Sequence, residues 1–304
     1  MDRNSYYYKQ MQLLIQVLPF VARQSCFALK GGTAINVFVR DLPRLSVDID
    51  LVYLPMKDRN GALQEIRQAL DIISDDLKQA FRDIQLQEAY KTKNDALRLI
   101  VSRNGVQIKI ELSPVLRGTV YKPVLMEVCE AVEDEFGYAE ILVVALSDLY
   151  AGKICAALDR QHPRDLFDVK WLLENEGLTD DIRKALLVYL ASHNRQLVEL
   201  LRPNLKDITD TYAGEFASMA KIEVPLADLL TVRESLIEII HKEMTDDEKA
   251  FLLSFKNRTP QWELLGVEGV SELPAIKWKQ INLAKMSDEK HEQALTKLRG
   301  VLNI

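Results

Sequence analysis

The sequence predicts an α+β chain in two parts, a domain of mixed strands and helices over residues 1–145 and a mainly helical domain over residues 146–304. Three observations carry this. Val47–Tyr53 and two runs about Asn104-Gly105 have strand character, and a Gly-Gly-Thr corner at Gly31 leads into a helical pattern. From Leu146 onward, apolar residues recur almost throughout at helical spacing.

At 304 residues and 48% hydrophobic content the chain has enough apolar surface for one large core or two ordinary ones. A net charge of -6 argues against a protein that coats nucleic acid by bulk electrostatics, and leaves room for a local basic groove. Cys26, Cys129 and Cys155 have neither disulfide-like nor zinc-like spacing, so a reducing cytoplasm is the expected compartment. The N-terminal stretch has no apolar core of a signal peptide, and no run approaches a membrane span. His162, His193, His241 and His291 are too dispersed for a metal site or triad and are expected at the surface or half-buried.

Taken in order, Tyr6–Arg23 has apolar residues at Met11, Leu14, Ile15, Leu18 and, past Pro19, Val21, the period of a packing helix. Leu63–Ile73 and Leu77–Phe81 read as helix. The runs 97–101 and 106–112 flank Arg103-Asn104-Gly105, and Asn-Gly is a strong signal for a tight hairpin. In the second run Gln107, Lys109 and Glu111 share one face. The acids Glu130, Glu133, Asp134 and Glu135 read as a solvated loop before a short apolar strand. Ser147 is the expected cap of a helix to about Asp159, and Pro163 the opening of another, on which Asp165 and Asp168 share a face. Leu178–Leu201, Leu226–Lys242, Asp246–Phe255 and Asp288–Leu302 read as further helices, with a loop marked by Pro260, Gly266, Gly269 and Pro274. Trp262 and Trp278 near it are expected to anchor packing.

The stretch Leu29–Leu54 is the part most suited to chemistry. Gly31 and Gly32 before Thr33 and a helix start would expose backbone N–H groups where the helix dipole is positive, a corner able to hold phosphate. On the following strand Asp48 and Asp50 point to one face while Val47, Ile49 and Leu51 point to the other. Two adjacent carboxylates are commonly reconciled by a hard divalent cation. Glu111, near the end of its own strand, is a candidate third carboxylate. Each feature also has an ordinary reading: a plain turn, a solvated strand edge, an outward glutamate. Surface salt bridging likewise accounts for Lys153, Arg160, Arg164, Asp165 and Asp168.

Gly-Gly-Thr followed by Arg-Leu-Ser-Val-Asp-Ile-Asp-Leu resembles the first motif of the DNA polymerase β-like nucleotidyltransferases. More narrowly, it is similar to the AbiEii/AbiGii toxin-type members of bacterial toxin–antitoxin and phage-defence systems. The likeness covers residues 29–54 and 146–173, with Thr33 where many relatives have Ser. It implies a mixed sheet flanked by helices, followed by a helical domain that contributes to the site. It implies transfer of a nucleoside monophosphate from an NTP, GTP or a pyrimidine NTP, to an acceptor hydroxyl, with Mg²⁺ or Mn²⁺ held by Asp48, Asp50 and Glu111. By the same resemblance Gly31, Gly32, Thr33, Ser46, Arg164 and Asp165 contact the nucleotide, and Lys153 and Asp168 join Asp48 and Asp50 as catalytic residues. The acceptor implied is the 3′ end of tRNA or another RNA, and a cognate antitoxin is the implied partner, with neither DNA nor a membrane. A protein-nucleotidylating enzyme and a non-enzymatic NTP-binding module are the competing classes.

Overall fold

The computed structural model describes residues 3–92 and 96–304; the first two residues of the N-terminal stretch read above lie outside the described residues. The chain divides into two compact units, Met1–Ala145 with Ser218–Glu223, and Leu146–Ala217 with Val224–Ile304. The short excursion at Ser218–Glu223 has no signature in the sequence.

The first unit is built on one seven-stranded sheet. In chain order its elements are α1 (Tyr6–Ala22), β1 (Phe27–Lys30), α2 (Gly31–Ala34), β2 (Asp48–Tyr53), α3 (Arg59–Ala80), β3 (Gln85–Glu88), α4 (Ala89–Thr92), β4 (Arg98–Arg103), β5 (Val106–Leu112), β6 (Val124–Glu127), α5 (Glu130–Phe136) and β7 (Glu140–Val143). The spatial order is β3-β4-β5-β2-β1-β7-β6, so β2 is central. It runs parallel to β5 and antiparallel to β1. Ser5 caps α1, whose Met11, Leu14, Leu18 and Val21 are buried against the sheet, and the helix continues past Pro19. Asp58 caps α3, which is continuous where the sequence suggested two pieces. Asn104 and Gly105 take φ of 51° and 76°, the left-handed pair a two-residue hairpin turn demands.

Two expectations are corrected in this unit. The acidic patch is helix, not loop: α5 places Glu130 and Glu133 in its first turn, where the dipole favours them, and buries Val132. The helix after the Gly-Gly corner is not plain α-helix either, because α2 widens into a π-turn over Ile35–Val39.

The second unit is helical: α6 (Leu146–Arg160), α7 (Pro163–Asn175), α8 (Asp180–Ser192), α9 (Leu197–Leu201), α10 (Thr209–Glu215), α11 (Leu226–Glu243), α12 (Asp246–Lys256), α13 (Pro274–Ala284) and α14 (Asp288–Leu302). Ser147 lies inside α6, not at its cap. The run Leu178–Leu201 is broken after Ser192 into α8 and α9, and Pro274 begins a helix instead of ending a loop. Thr245 and Glu248 form a reciprocal capping box on α12, and Trp262 packs on Phe251 and Phe255. Trp278, by contrast, is exposed, and His291 is buried with Nε2 2.8 Å from the Lys256 carbonyl. No helix among the described residues is long and apolar enough to cross a membrane.

Candidate active site

In the first unit the Gly31–Asp50 segment folds on itself because its glycines admit groups that side chains would exclude. Gly31 has φ of 76°, and a Cβ there would lie 2.7 Å from Oδ2 of Asp50. At Gly32 a Cβ would lie 2.6 Å from Nη2 of Arg44 and 3.0 Å from the Ser46 hydroxyl. The two glycines thus admit a carboxylate and a guanidinium at the start of one helix. Asn36 fixes the corner from behind, donating Nδ2 to the Gly32 carbonyl at 2.8 Å.

Thr33 is buried. Its hydroxyl donates to the Asp48 carbonyl and lies 3.1 Å from that of Ser46. In this arrangement the hydroxyl latches α2 to the start of β2. Arg44, which the sequence reading did not single out, is buried and donates Nη1 to the Leu45 carbonyl at 3.0 Å. Its stretch is braced by Ser218–Glu223, since Leu45 N–H bonds the Met219 carbonyl and Lys221 N–H the Pro43 carbonyl.

Strand register gathers the charges of the face. Lys30, Asp50, Glu111 and Arg98 stand in one row across β1, β2, β5 and β4, and Asp48 stands opposite Lys109 in the next. Arg98 Nη2 bonds Glu111 Oε1 at 2.5 Å, and Lys109 Nζ lies 3.5 Å from Asp48 Oδ1. Glu111 is therefore beside Asp50, as its position suggested, with its carboxylate engaged by Arg98. No three His, Cys, Asp or Glu side chains converge as a metal-ligand set among the described residues. Two suffice for Mg²⁺, which is commonly held by one or two carboxylates with waters and substrate phosphates completing its shell. The hard oxygens of Asp48 and Asp50, with Asp50 seated in the space Gly31 leaves, fit that donor set.

In the second unit α6 and α7 are joined by a buried ionic cluster. Lys153 Nζ lies 2.9 Å from Asp165 Oδ1 and 3.0 Å from Asp168 Oδ2, with Lys153 6% exposed and the aspartates 0% and 1%. Arg160 adds a bidentate contact, Nε to Oδ2 at 2.5 Å and Nη2 to Oδ1 at 2.8 Å of Asp165. Burial opposes ionisation of Asp165, but Lys153 and Arg160 outweigh it and hold the carboxyl well below the usual range. The alternative of surface salt bridging does not hold for Lys153, Asp165 and Asp168, which helical spacing points inward, whereas Arg160 and Arg164 make their ion pairs from exposed or half-exposed positions. Gln161, with φ of 55°, makes the turn; His162 then caps α7 by accepting from the Arg164 N–H at 3.1 Å. Arg164 and His162 both face Glu215, at 3.5 Å and 3.1 Å.

A central strand with two same-face acids, beside a double-glycine corner at a helix start, defines the nucleotidyltransferase class. The chain belongs to the AbiEii family, described as nucleotidyl transferase AbiEii toxin of type IV toxin–antitoxin systems, whose model matches residues 12–279. Membership implies an antitoxin partner. Among solved structures it is similar to MenT4, a nucleotidyltransferase toxin from Mycobacterium tuberculosis H37Rv, with TM-score 0.61 over 98% of this chain and 95% of that one. Identity is 12%, so this likeness is one of fold. No curated protein matches the chain.

Proposed function

We propose that the chain transfers a nucleoside monophosphate from an NTP to the 3′ hydroxyl of tRNA. The acceptor oxygen bonds to the α-phosphorus, the α–β anhydride bond breaks, pyrophosphate leaves, and the hydroxyl proton passes to solvent. The observation that carries this is the seating of Asp50 against Gly31 with Asp48 on the same face of β2.

Asp48 and Asp50 would hold a divalent ion, Mg²⁺ or Mn²⁺, which when bound offsets triphosphate charge and lowers the pKa of the attacking hydroxyl. The chain's own groups do the rest. The N–H groups of Gly31 and Gly32 and the Arg44 guanidinium hold phosphate oxygens, a donor set fixed before substrate arrives. Thr33 and Ser46 position β2. Lys109 and Arg98 keep Asp48 and Glu111 oriented until the nucleotide binds, and Glu111 can then release Arg98 to serve as an added oxygen ligand. In the second unit Lys153, Asp165 and Asp168 set the α6–α7 turn that carries Arg164. Cytoplasmic action follows from a tRNA acceptor.

The test is incubation of the purified protein with Mg²⁺, total tRNA and each α-labelled NTP in turn. Label on tRNA that is absent with Asp48→Asn supports the reading and names the base, GTP or a pyrimidine NTP being expected. Label on protein instead would move the activity to protein nucleotidylation.

A further inference from the structure

Three carboxylates and three cations share one face of the sheet in the first unit, and they are not evenly matched. Lys109 attends Asp48 at 3.5 Å, and Arg98 attends Glu111 at 2.5 Å. Lys30 and Asp50 stand directly opposite each other on β1 and β2, where a pair of unlike charges ordinarily closes. This pair stays open: among the described residues neither side chain makes an ion pair or a side-chain hydrogen bond.

Asp50 turns its carboxylate into the space beside Gly31, with Oδ2 2.7 Å from where a Cβ would stand. Lys30 is the residue before that glycine and is half-buried. Partial burial of an ammonium without a counter-charge has a cost, which a bound anion removes. Lys30 and Asp50 are thus open to charges of opposite sign on neighbouring strands, whose spacing is about 4.8 Å. A free cation satisfies Asp50 and leaves Lys30 unmatched, and a bare anion does the reverse. A metal–polyphosphate complex brings both charges at once.

We propose that Lys30 binds a non-bridging oxygen of the β- or γ-phosphate of the NTP, so that the site selects triphosphate over monophosphate. This rests on the nucleotidyl-transfer reading above. The α-phosphate is the group that meets the metal and the acceptor, and it stays on the product. The outer two phosphates leave together, and they are what remains for the Gly31–Gly32 corner and for the lysine that precedes it. The Lys30 ammonium offsets the charge that gathers on pyrophosphate as the α–β anhydride bond breaks, and it keeps its proton throughout.

The test uses the full chain with Mg²⁺ and no RNA, and equilibrium dialysis of each α-labelled NTP beside the corresponding NMP. For the NTP that binds most tightly, Lys30→Gln should weaken binding about tenfold, the loss of one charge-assisted contact, and leave NMP binding unchanged. Lys30→Arg, which keeps the charge, should recover most of the loss. In turnover with total tRNA, Lys30→Gln should raise KM for the NTP and weaken inhibition by added pyrophosphate while KM for tRNA stays the same, a split that a packing defect does not produce. Its melting temperature should match that of the parent chain, because no ion pair within the protein is lost. Equal NTP binding by the parent and by Lys30→Gln overturns the role of Lys30 while nucleotidyl transfer stands, and so does a variant that loses NTP and NMP alike. A parent chain that binds no NTP with Mg²⁺ overturns both.

Discussion

Asp50 faces Glu111 directly across β2–β5, with Lys30 and Arg98 at the ends of the same row. Like charges paired across strands are unfavourable, and a fold that keeps them beside a helix start has a use for them. Asp48→Asn and Asp50→Asn should therefore lower turnover by several orders of magnitude while leaving the melting temperature unchanged or slightly raised. Gly31→Ala should fail twice, since φ of 76° strains any side chain and the new Cβ would meet Asp50 Oδ2 at 2.7 Å. The backbone part alone costs about 1–2 kcal/mol; denaturant titration would read it, and activity should be lost with it. Arg44→Ala should raise KM for the NTP more than it lowers stability. Arg44 opens the Arg-Leu-Ser-Val-Asp-Ile-Asp-Leu motif, yet its burial was not legible in the sequence, because that follows from the close approach at Gly32 and from no local period. The pairing of Lys109 with Asp48 was equally hidden, since register between strands distant in sequence is a tertiary fact.

At the scale of elements, the ionic cluster is the clearest case of energy and function meeting. Replacing Lys153 by Met would take the Lys153 ammonium from Asp168, 1% exposed, and leave Asp165, 0% exposed, with Arg160 alone, a change that costs about 3–5 kcal/mol. Urea unfolding should show it. The acid limb carries a sign as well. Asp165 has a folded-state pKa below its usual value of 3.8, so its contribution is present above that value and is lost as pH falls through the folded pKa. Asp165→Asn should be less stable than the parent at neutral pH, and the gap should narrow only below pH 3.8. A gap that narrowed between neutral pH and 5 would contradict the charge cluster. Other elements were legible in proportion to their periodicity. The hairpin about Asn104-Gly105 and helix α14 had both pattern and punctuation. Helix α5, seven residues long, is too short to show a period. Helix α13 hid because its outward face carries Trp278 and Ile281, which erases the apolar stripe.

For the molecule as a whole, the two units differ in what holds them. The first depends on a central strand whose neighbours come from distant parts of the chain, and on a six-residue return, Ser218–Glu223, that braces Arg44 and Leu45. Met219 and Ala220 should accordingly be sensitive positions: proline at Ala220, which bridges Arg44, should lower activity and melting temperature together. The second unit is stapled by caps and by helix packing, and Thr245→Ala should cost it about 1 kcal/mol without touching nucleotide binding. The AbiEii family model spans residues 12–279, across both units. The central claim is that Asp48 and Asp50 drive nucleotidyl transfer to RNA. Its most direct measurement is incorporation of α-labelled NTP into tRNA by the parent chain beside Asp48→Asn and Asp50→Asn, all folded to the same melting temperature. The account predicts label at the 3′ end of tRNA with the parent chain and none with either variant. Undiminished label in both variants would contradict it.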